Sequence, residues 1–337
     1  VDELDLALLD GLHVNPRVSF DELGRVLGVS GVTAARRWRR LVGAGRAWVS
    51  SAIGPALPLA GALIEADCDP GQAQAVAEEW AAVPQAASVH ITTGRYNVYG
   101  LIVAADESML ARLVVDVLPS VVGVRAVQTA TMFRMFSGTY WRLGAISAHQ
   151  AADVSPPAVG PVRHVFDDFD RQLYLVLQQD GRLSYREVAL RLGCTELAAR
   201  RRLQVLTRSG LMRFRTDFAR AEAGWPTNVV LVLGLPAATA AAEVGRVLVT
   251  WHEARVCAAI IGGAGQLFVT LQVHELGAVD GVVARLRHTF PGVTVLNSRA
   301  VLRPVKSFGR LLDGDGHARD VVPVNPWSDT QMTKAIV

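Results

Sequence analysis

The stretch Ser19-Phe20-Asp21-Glu22-Leu23-Gly24-Arg25-Val26-Leu27-Gly28-Val29-Ser30 decides how this chain is read. Ser19 stands three residues before Glu22, the spacing of a capping box. There the serine oxygen accepts an N–H of the first helical turn and the glutamate reaches back to the cap. A short helix therefore opens at Phe20 and closes at Leu27-Gly28, and Ser30 caps a further helix that runs to Gly43 or Gly45. Upstream, Leu4, Leu8, Leu9 and Leu12 recur at helical spacing until Asn15-Pro16 stops the pattern. Two helices joined by a tight glycine-containing turn, the second with its own cap, form a helix-turn-helix signature.

The signature occurs twice. A shift of 165 residues lays Asp5 on Asp170, Leu8 on Leu173, Leu12 on Leu177, Arg17 on Arg182, Ser19 on Ser184 and Glu22 on Glu187. It continues through Leu27-Gly28 on Leu192-Gly193, Ala34 on Ala199, Arg36-Arg37 on Arg201-Arg202, Leu41 on Leu206 and Gly45 on Gly210. Farther on the shift is 169, with Gly94 on Gly263 and Gly123-Val124 on Gly292-Val293. The chain reads as a tandem duplication.

After each helical segment the pattern turns α+β. Strands are predicted over 59–67, 86–93, 97–105 and 124–135, with helices over 70–82 and 106–118. The second copy has strands over 228–235, 254–261, 266–273 and 293–302, with helices over 237–251 and 274–289. The order β-α-β-β-α-β is the ferredoxin-like arrangement. The expected fold is thus α+β, two tandem units, each a (winged) helix-turn-helix followed by a βαββαβ domain. The boundaries fall at 1–50 and 51–137, a linker of extended, proline-containing character at 138–165, 166–216 and 217–312, and a flexible tail at 313–337.

Composition excludes whole classes. Of 337 residues 50% are hydrophobic and 19% charged, which rules out a disordered chain. The net charge of +3 names no partner, so a nucleic-acid signal must come from where the arginines cluster. Three cysteines are too few and too scattered for a disulfide framework or a zinc site, which fits a reducing compartment. Val1-Asp2-Glu3-Leu4-Asp5 lacks the order of a signal peptide, and the apolar stretches near 224–242 and 256–273 are broken by prolines or glycines. A cytoplasmic protein without membrane contact is expected.

The combination resembles the Lrp/AsnC family of bacterial transcription regulators. The residues that carry the resemblance are Leu4-Asp5, Ser19 to Leu23, Leu27 to Ser30, Arg36-Arg37, Arg40-Leu41, Gly45 and the hairpin Thr93-Gly94-Arg95-Tyr96-Asn97. The resemblance implies an N-terminal DNA-binding domain, a connecting strand, and a βαββαβ domain that binds small effectors and assembles dimers. This chain departs from the family in carrying two units.

The third helix is the expected reader of double-stranded DNA. Val32, Ala35, Trp38 and Leu41-Val42 form its expected apolar stripe, while Thr33, Arg36, Arg37 and Arg40 fall on the other side. Such a helix enters the major groove, where arginine grips guanine O6 and N7 and others neutralise phosphates. Ser30, as cap, directs free backbone N–H groups toward a phosphate. Thr195, Arg201 and Arg202 are the counterparts, on a helix made more apolar by Leu203 and Val205. The bland alternative is a solvated basic face.

Gly94 and the run Gly262-Gly263-Ala264-Gly265 sit between adjacent strands, where glycine serves a tight turn or lets backbone approach a ligand. By the resemblance, Gly94, Tyr96, Asn97, Gly263 and Gly265 lie near the pocket for an amino acid or related carboxylate. No catalytic residue, metal site or cofactor is expected. The linker is long enough for the two βαββαβ domains to pair within one chain as a pseudo-dimer, with homo-oligomers built from whole chains. Two other functions remain open. Siroheme decarboxylases are built from the same unit, and would set histidine and arginine around a tetrapyrrole; here only His90 and His274 lie at strand edges. The other is an interaction protein that has lost DNA binding.

Overall fold

Strong caps set the helices of the first half. In the computed structural model, which describes residues 1–137, 143–156, 160 and 162–329, α1 (Glu3–Val14) starts from a reciprocal box between Asp2 and Asp5. Ser19 caps α2 (Phe20–Val26), and Ser30 caps α3 (Gly31–Gly43). Caps recur at the matching positions of α7 (Asp168–Gln179), α8 (Tyr185–Leu192) and α9 (Glu196–Arg208), through Asp167, Ser184 and Thr195; Glu187 closes the box on Ser184, whereas the expected box at Ser19 keeps only the serine's bond to the Glu22 N–H. Elements are numbered along the chain.

The described residues gather by kind rather than by repeat. One unit comprises 1–58, 143–224 and 315–321, and so holds both helical segments. The other comprises 59–137, 225–314 and 322–329.

Within the helical unit, β1 (Ala47–Ile53) and β6 (Met212–Phe218) pair antiparallel, with Ser50 opposite Arg215. Those two residues are counterparts under the 165-residue shift, so an approximate two-fold axis passes between them. The packing is exchanged about it. Ser51 Oγ donates to the Tyr174 carbonyl of α7 at 2.7 Å, and Thr216 Oγ1 donates to the Leu12 carbonyl of α1 at 2.6 Å. Each strand of the ribbon thus rests on the first helix of the other repeat.

Two expectations are corrected here. The linker is not extended throughout, because α6 (Ala148–Val154) forms in it, with a capping box between Ser147 and Gln150. Buried Asp10 accepts the Leu143 and Ile146 N–H groups at 2.9 and 3.0 Å, and Asn15 donates to the Val154 carbonyl at 3.0 Å. A serine followed three residues later by glutamine, in an alanine-rich run, outweighs the flanking prolines. Residues 138–142, 157–159, 161 and 330–337 of the expected linker and tail lie outside the described residues.

The apolar stripe of α3 is also different. Ala34, Trp38 and Leu41 are buried, whereas Val32 is 75% exposed. At 100° per residue Ala34, Trp38 and Leu41 share one face, and Val32 lies about 200° from Ala34.

The second unit is built from β2 (Ala60–Cys68), α4 (Ala73–Ala82), β3 (Ala86–Thr92), β4 (Val98–Ala104), α5 (Glu107–Arg112) and β5 (Val124–Ser137). It continues with β7 (Thr227–Gly234), α10 (Ala241–Leu248), β8 (Ala254–Ile261), β9 (Leu267–Val273), α11 (Ala278–Thr289) and β10 (Thr294–Ser307). The strand orders are β5-β2-β4-β3 and β10-β7-β9-β8, and β5 pairs with β8 as β10 pairs with β3. Eight antiparallel strands therefore close on themselves, leaving neither half an open β5 or β10 edge. Trp80, fully buried under α4, donates its indole N–H to the Leu118 carbonyl at 3.0 Å. Inside the closed sheet Tyr99 and Phe268, counterparts under the 169-residue shift, meet edge-on at 5.7 Å.

The tail is a third correction. It forms β11 (Arg310–Leu312) and β12 (Ala318–Val321). Beyond these Val324 is buried, and the Asn325 N–H donates to the Pro84 carbonyl while Ala105 N–H donates to that of Pro326, each at 2.9 Å. Prolines and glycines here shape turns that apolar side chains pin down.

Candidate nucleic-acid interface and effector turn

The third helix of each helical segment, α3 and α9, carries arginines of two kinds. Arg37 donates to both carboxylate oxygens of Asp2, at 2.7 and 2.9 Å, and to Asp5 at 2.9 Å; Arg40 donates to Asp5 at 2.6 Å. Asp5 is 1% exposed, so its charge depends on these partners. The bond from Arg37 holds the Asp2 carboxyl below its ordinary range, and the two aspartates raise Arg37 in turn. Arg202 repeats the arrangement, with Asp167 at 2.6 Å, Asp170 at 3.2 Å and His164 Nε2 at 3.0 Å.

His164, Asp167 and Asp170 bring possible ligand atoms within 4.8 Å of one another, yet the Arg202 guanidinium already supplies the positive charge there. This is an arginine site. Residues 2, 5 and 37 match 167, 170 and 202 under the shift of 165, so α3 and α9 are each held by their own first helix in the same way.

The other arginines face outward. Arg36 and Arg201 are exposed and make no ion pair among the described residues. Arg39 and Arg200 are exposed as well, Arg200 with its guanidinium 6.0 Å from the Tyr185 ring. Ser30 Oγ accepts the Thr33 N–H at 3.1 Å and bonds Thr33 Oγ1 at 2.9 Å. Thr195 accepts from the Ala198 N–H at 3.2 Å. Of the expected contact residues, Arg36 and Arg201 are thus free for a ligand, Ser30, Thr33 and Thr195 serve caps, and Arg37, Arg40 and Arg202 are bound to first-helix acids.

A reciprocal pair of arginines joins the two helical segments. Arg17 donates to the Gly181 and Leu183 carbonyls, the second at 2.9 Å, and Arg182 donates to those of Pro16 and Val18 at 2.6 and 2.8 Å. Arg17 lies 5.3 Å over the Tyr185 ring, and Arg182 lies 4.2 Å over that of Phe20. Burial lowers the pKa of both guanidinium groups, that of Arg182 to about 10 with Arg17 adding to the effect.

The hairpin turns are unlike each other. Gly94 has φ +91°, which favours glycine there, and its turn is docked on β10: Thr93 N–H donates to the Ala300 carbonyl at 2.9 Å. Asn97 Oδ1 accepts the Cys68 N–H at 3.2 Å. Arg299 donates to the Tyr96 carbonyl at 3.0 Å and forms an ion pair with Glu65, both side chains being 5% exposed. Arg95 pairs with Asp67 at 3.0 Å. The structure therefore brings Gly94, Tyr96 and Asn97 together beside a buried charge pair.

Around Gly263 and Gly265 the neighbours are different. A Cβ on Gly263 would meet Ala130 at 3.4 Å, and one on Gly265 would strike the Leu233 carbonyl at 2.5 Å. Gly265 is required by that close backbone approach. Glu65 and Arg299 were missed by sequence reasoning; a lone acid in Leu63-Ile64-Glu65-Ala66 and a lone base in Ser298-Arg299-Ala300 are the signals.

Among the described residues no helix is long and apolar enough to cross a membrane. The AsnC-type helix-turn-helix domain matches residues 1–42 and 166–207, and the Lrp/AsnC ligand binding domain matches 61–141. Two uncharacterized HTH-type transcriptional regulators of Pyrococcus abyssi (strain GE5 / Orsay) are similar. One is 33% identical over 138 residues, covering 39% of this chain and 91% of the relative. The other is 26% identical over 147 residues, covering 42% and 92%. The crystal structure of a siroheme decarboxylase is similar over 91% of this chain and 93% of its own, with TM-score 0.56 and 15% identity, a likeness of fold. With its helix-turn-helix signature in both repeats and a ligand-binding domain behind the first, the chain belongs to the Lrp/AsnC family.

Proposed function

We propose that this protein is a sequence-specific DNA-binding regulator in which one chain does the work of a dimer, each half being a copy of one helix-turn-helix–βαββαβ unit. The observation that carries the proposal is the reciprocal Arg17 and Arg182 contact. It relates two capped reader helices by an approximate two-fold axis, the arrangement that serves paired half-sites on DNA. Of the expected contact residues, Arg36 and Arg201 are the arginines without an ion pair among the described residues, and they can reach base edges or phosphates. A mobility shift on the protein's own promoter region tests this, since retention of one duplex over an unrelated one is expected. Equal retention of both at every salt concentration contradicts it.

The effector in this reading is an amino acid or related carboxylate bound near Gly94, Tyr96 and Asn97, with oligomers assembled from whole chains. A ligand that binds only the folded state raises the melting temperature. A panel of amino acids at millimolar concentration therefore should contain at least one that does so, and Gly94→Val should abolish its effect. A panel without any shift removes the sensing role.

A second reading has one observation in its favour. The siroheme decarboxylase likeness spans nearly the whole chain. In this structure His90 is buried, with its ring 4.8 Å from that of Tyr99, and His274 lies 3.8 Å from the Trp225 ring. Titration with an iron tetrapyrrole separates the readings: a saturable shift of its absorbance favours the enzyme, and an unchanged spectrum favours the regulator.

A further inference from the structure

The reader helices expose an apolar side chain at matching places. Val32 is 75% exposed and Leu197 is 55% exposed, each the second residue of its helix and each 165 residues from the other. A single exposed aliphatic residue is ordinary. These two recur in the same register although their neighbours have changed: Thr33 against Ala198, Ala35 against Arg200, Arg39 against Gln204, Arg40 against Val205.

Val32 lies one turn before Arg36, and Leu197 one turn before Arg201, so each aliphatic group shares its face with an arginine that has no ion pair among the described residues. The buried face, Ala34, Trp38 and Leu41 in one helix and Ala199, Leu203 and Leu206 in the other, is on the opposite side. An aliphatic group in the major groove has one specific partner, the C5-methyl group of thymine.

We propose that Val32 and Leu197 are base-reading residues, each packing against the methyl of a thymine in its own half-site. This rests on the DNA-binding assignment above. The flanking positions then distinguish the halves: Arg39 suits guanine and Gln204, its counterpart, suits adenine.

The test uses the full chain and a duplex recovered from a random-sequence pool by binding to it. Each thymine is replaced singly by deoxyuridine, which removes only the methyl, and affinity is read by fluorescence anisotropy at fixed salt. For the wild type, one thymine in each half-site is expected to lose about fourfold in affinity, the equivalent of one buried methyl. Val32→Ala should become insensitive to deoxyuridine in one half-site and Leu197→Ala in the other. Both residues are exposed, so the fold should tolerate both changes. Specific binding with no sensitive thymine, or with sensitivity unchanged in both variants, overturns the proposal alone. Failure to enrich any duplex overturns the DNA-binding assignment and this proposal with it.

Discussion

Arg17 and Arg182 each donate to the two carbonyls that flank the other in the chain, Gly181 and Leu183 for the first, Pro16 and Val18 for the second. A reciprocal contact of this kind normally belongs to a dimer of identical chains. Here both sides lie in one polypeptide, so the contact forms at a concentration set by the chain itself.

Removing either arginine leaves two carbonyls without their donor and cuts one side of the exchange. Arg17→Ala or Arg182→Ala should lower unfolding stability by about 2–4 kcal/mol, the scale for buried groups deprived of charged partners. Urea denaturation checks this. A loss below about 0.5 kcal/mol for both would mean that the contact contributes little.

Arg36 and Arg37 are adjacent yet should behave oppositely. Arg36→Ala should leave the melting temperature unchanged and weaken operator binding by about 1–3 kcal/mol if Arg36 grips a base. Arg37→Ala strips buried Asp5 and exposed Asp2 of a shared partner, so it should lower the melting temperature. Paired melting and anisotropy measurements decide; a stable Arg37→Ala protein with lost specificity would make Arg37 the reader instead.

Glu65 and Arg299 form a buried charge pair between the two halves of the closed sheet. Glu65→Gln should cost about 3–5 kcal/mol, because it leaves the Arg299 charge uncompensated. The double change Glu65→Leu with Arg299→Met should recover most of that loss. Chemical denaturation of both variants checks this, and a double variant no more stable than Glu65→Gln is the contrary result.

Lys306 is fully buried, donates to the Val83 carbonyl at 3.1 Å, and is pushed by burial from its ordinary 10.5 down to about 7. Between about pH 7 and 10.5 the unfolded chain therefore binds more protons than the folded one, and the contribution of this group to stability rises with pH. Lys306→Met should stabilise the protein at pH 7, with the advantage shrinking toward pH 10. Denaturation at both values checks the sign; an advantage that grows with pH is the contrary result.

Elements governed by local rules were legible in the sequence. Ser19, Ser30, Ser184 and Thr195 announced their helices because a cap is a matter of three or four neighbouring residues. The Val/Leu-rich run of 228–235 and the apolar run around Leu63-Ile64 marked strands from equally local signals. Arg17 and Arg182 were visible as a repeated match, but their role depends on carbonyls about 165 positions away. Arg37 looked like a reader because sequence shows the helix face and not the Asp2 and Asp5 opposite it. Val32 was assigned to the core on hydrophobicity, and the helical phase set by Trp38 and Leu41 put it outside. In the linker the prolines mask a helix that the Ser147 and Gln150 cap starts, and the tail's turns hide the buried Val324.

In the proposed regulator one chain presents two different helix-turn-helix segments to one site. Footprinting on the selected operator, with wild type, Arg36→Ala and Arg201→Ala, should show two half-sites of unequal sequence, with each variant losing protection mainly in its own half. A symmetric palindrome protected equally in both halves, and weakened equally in both by either variant, would mean that like segments pair between chains and that one chain does not do the work of a dimer.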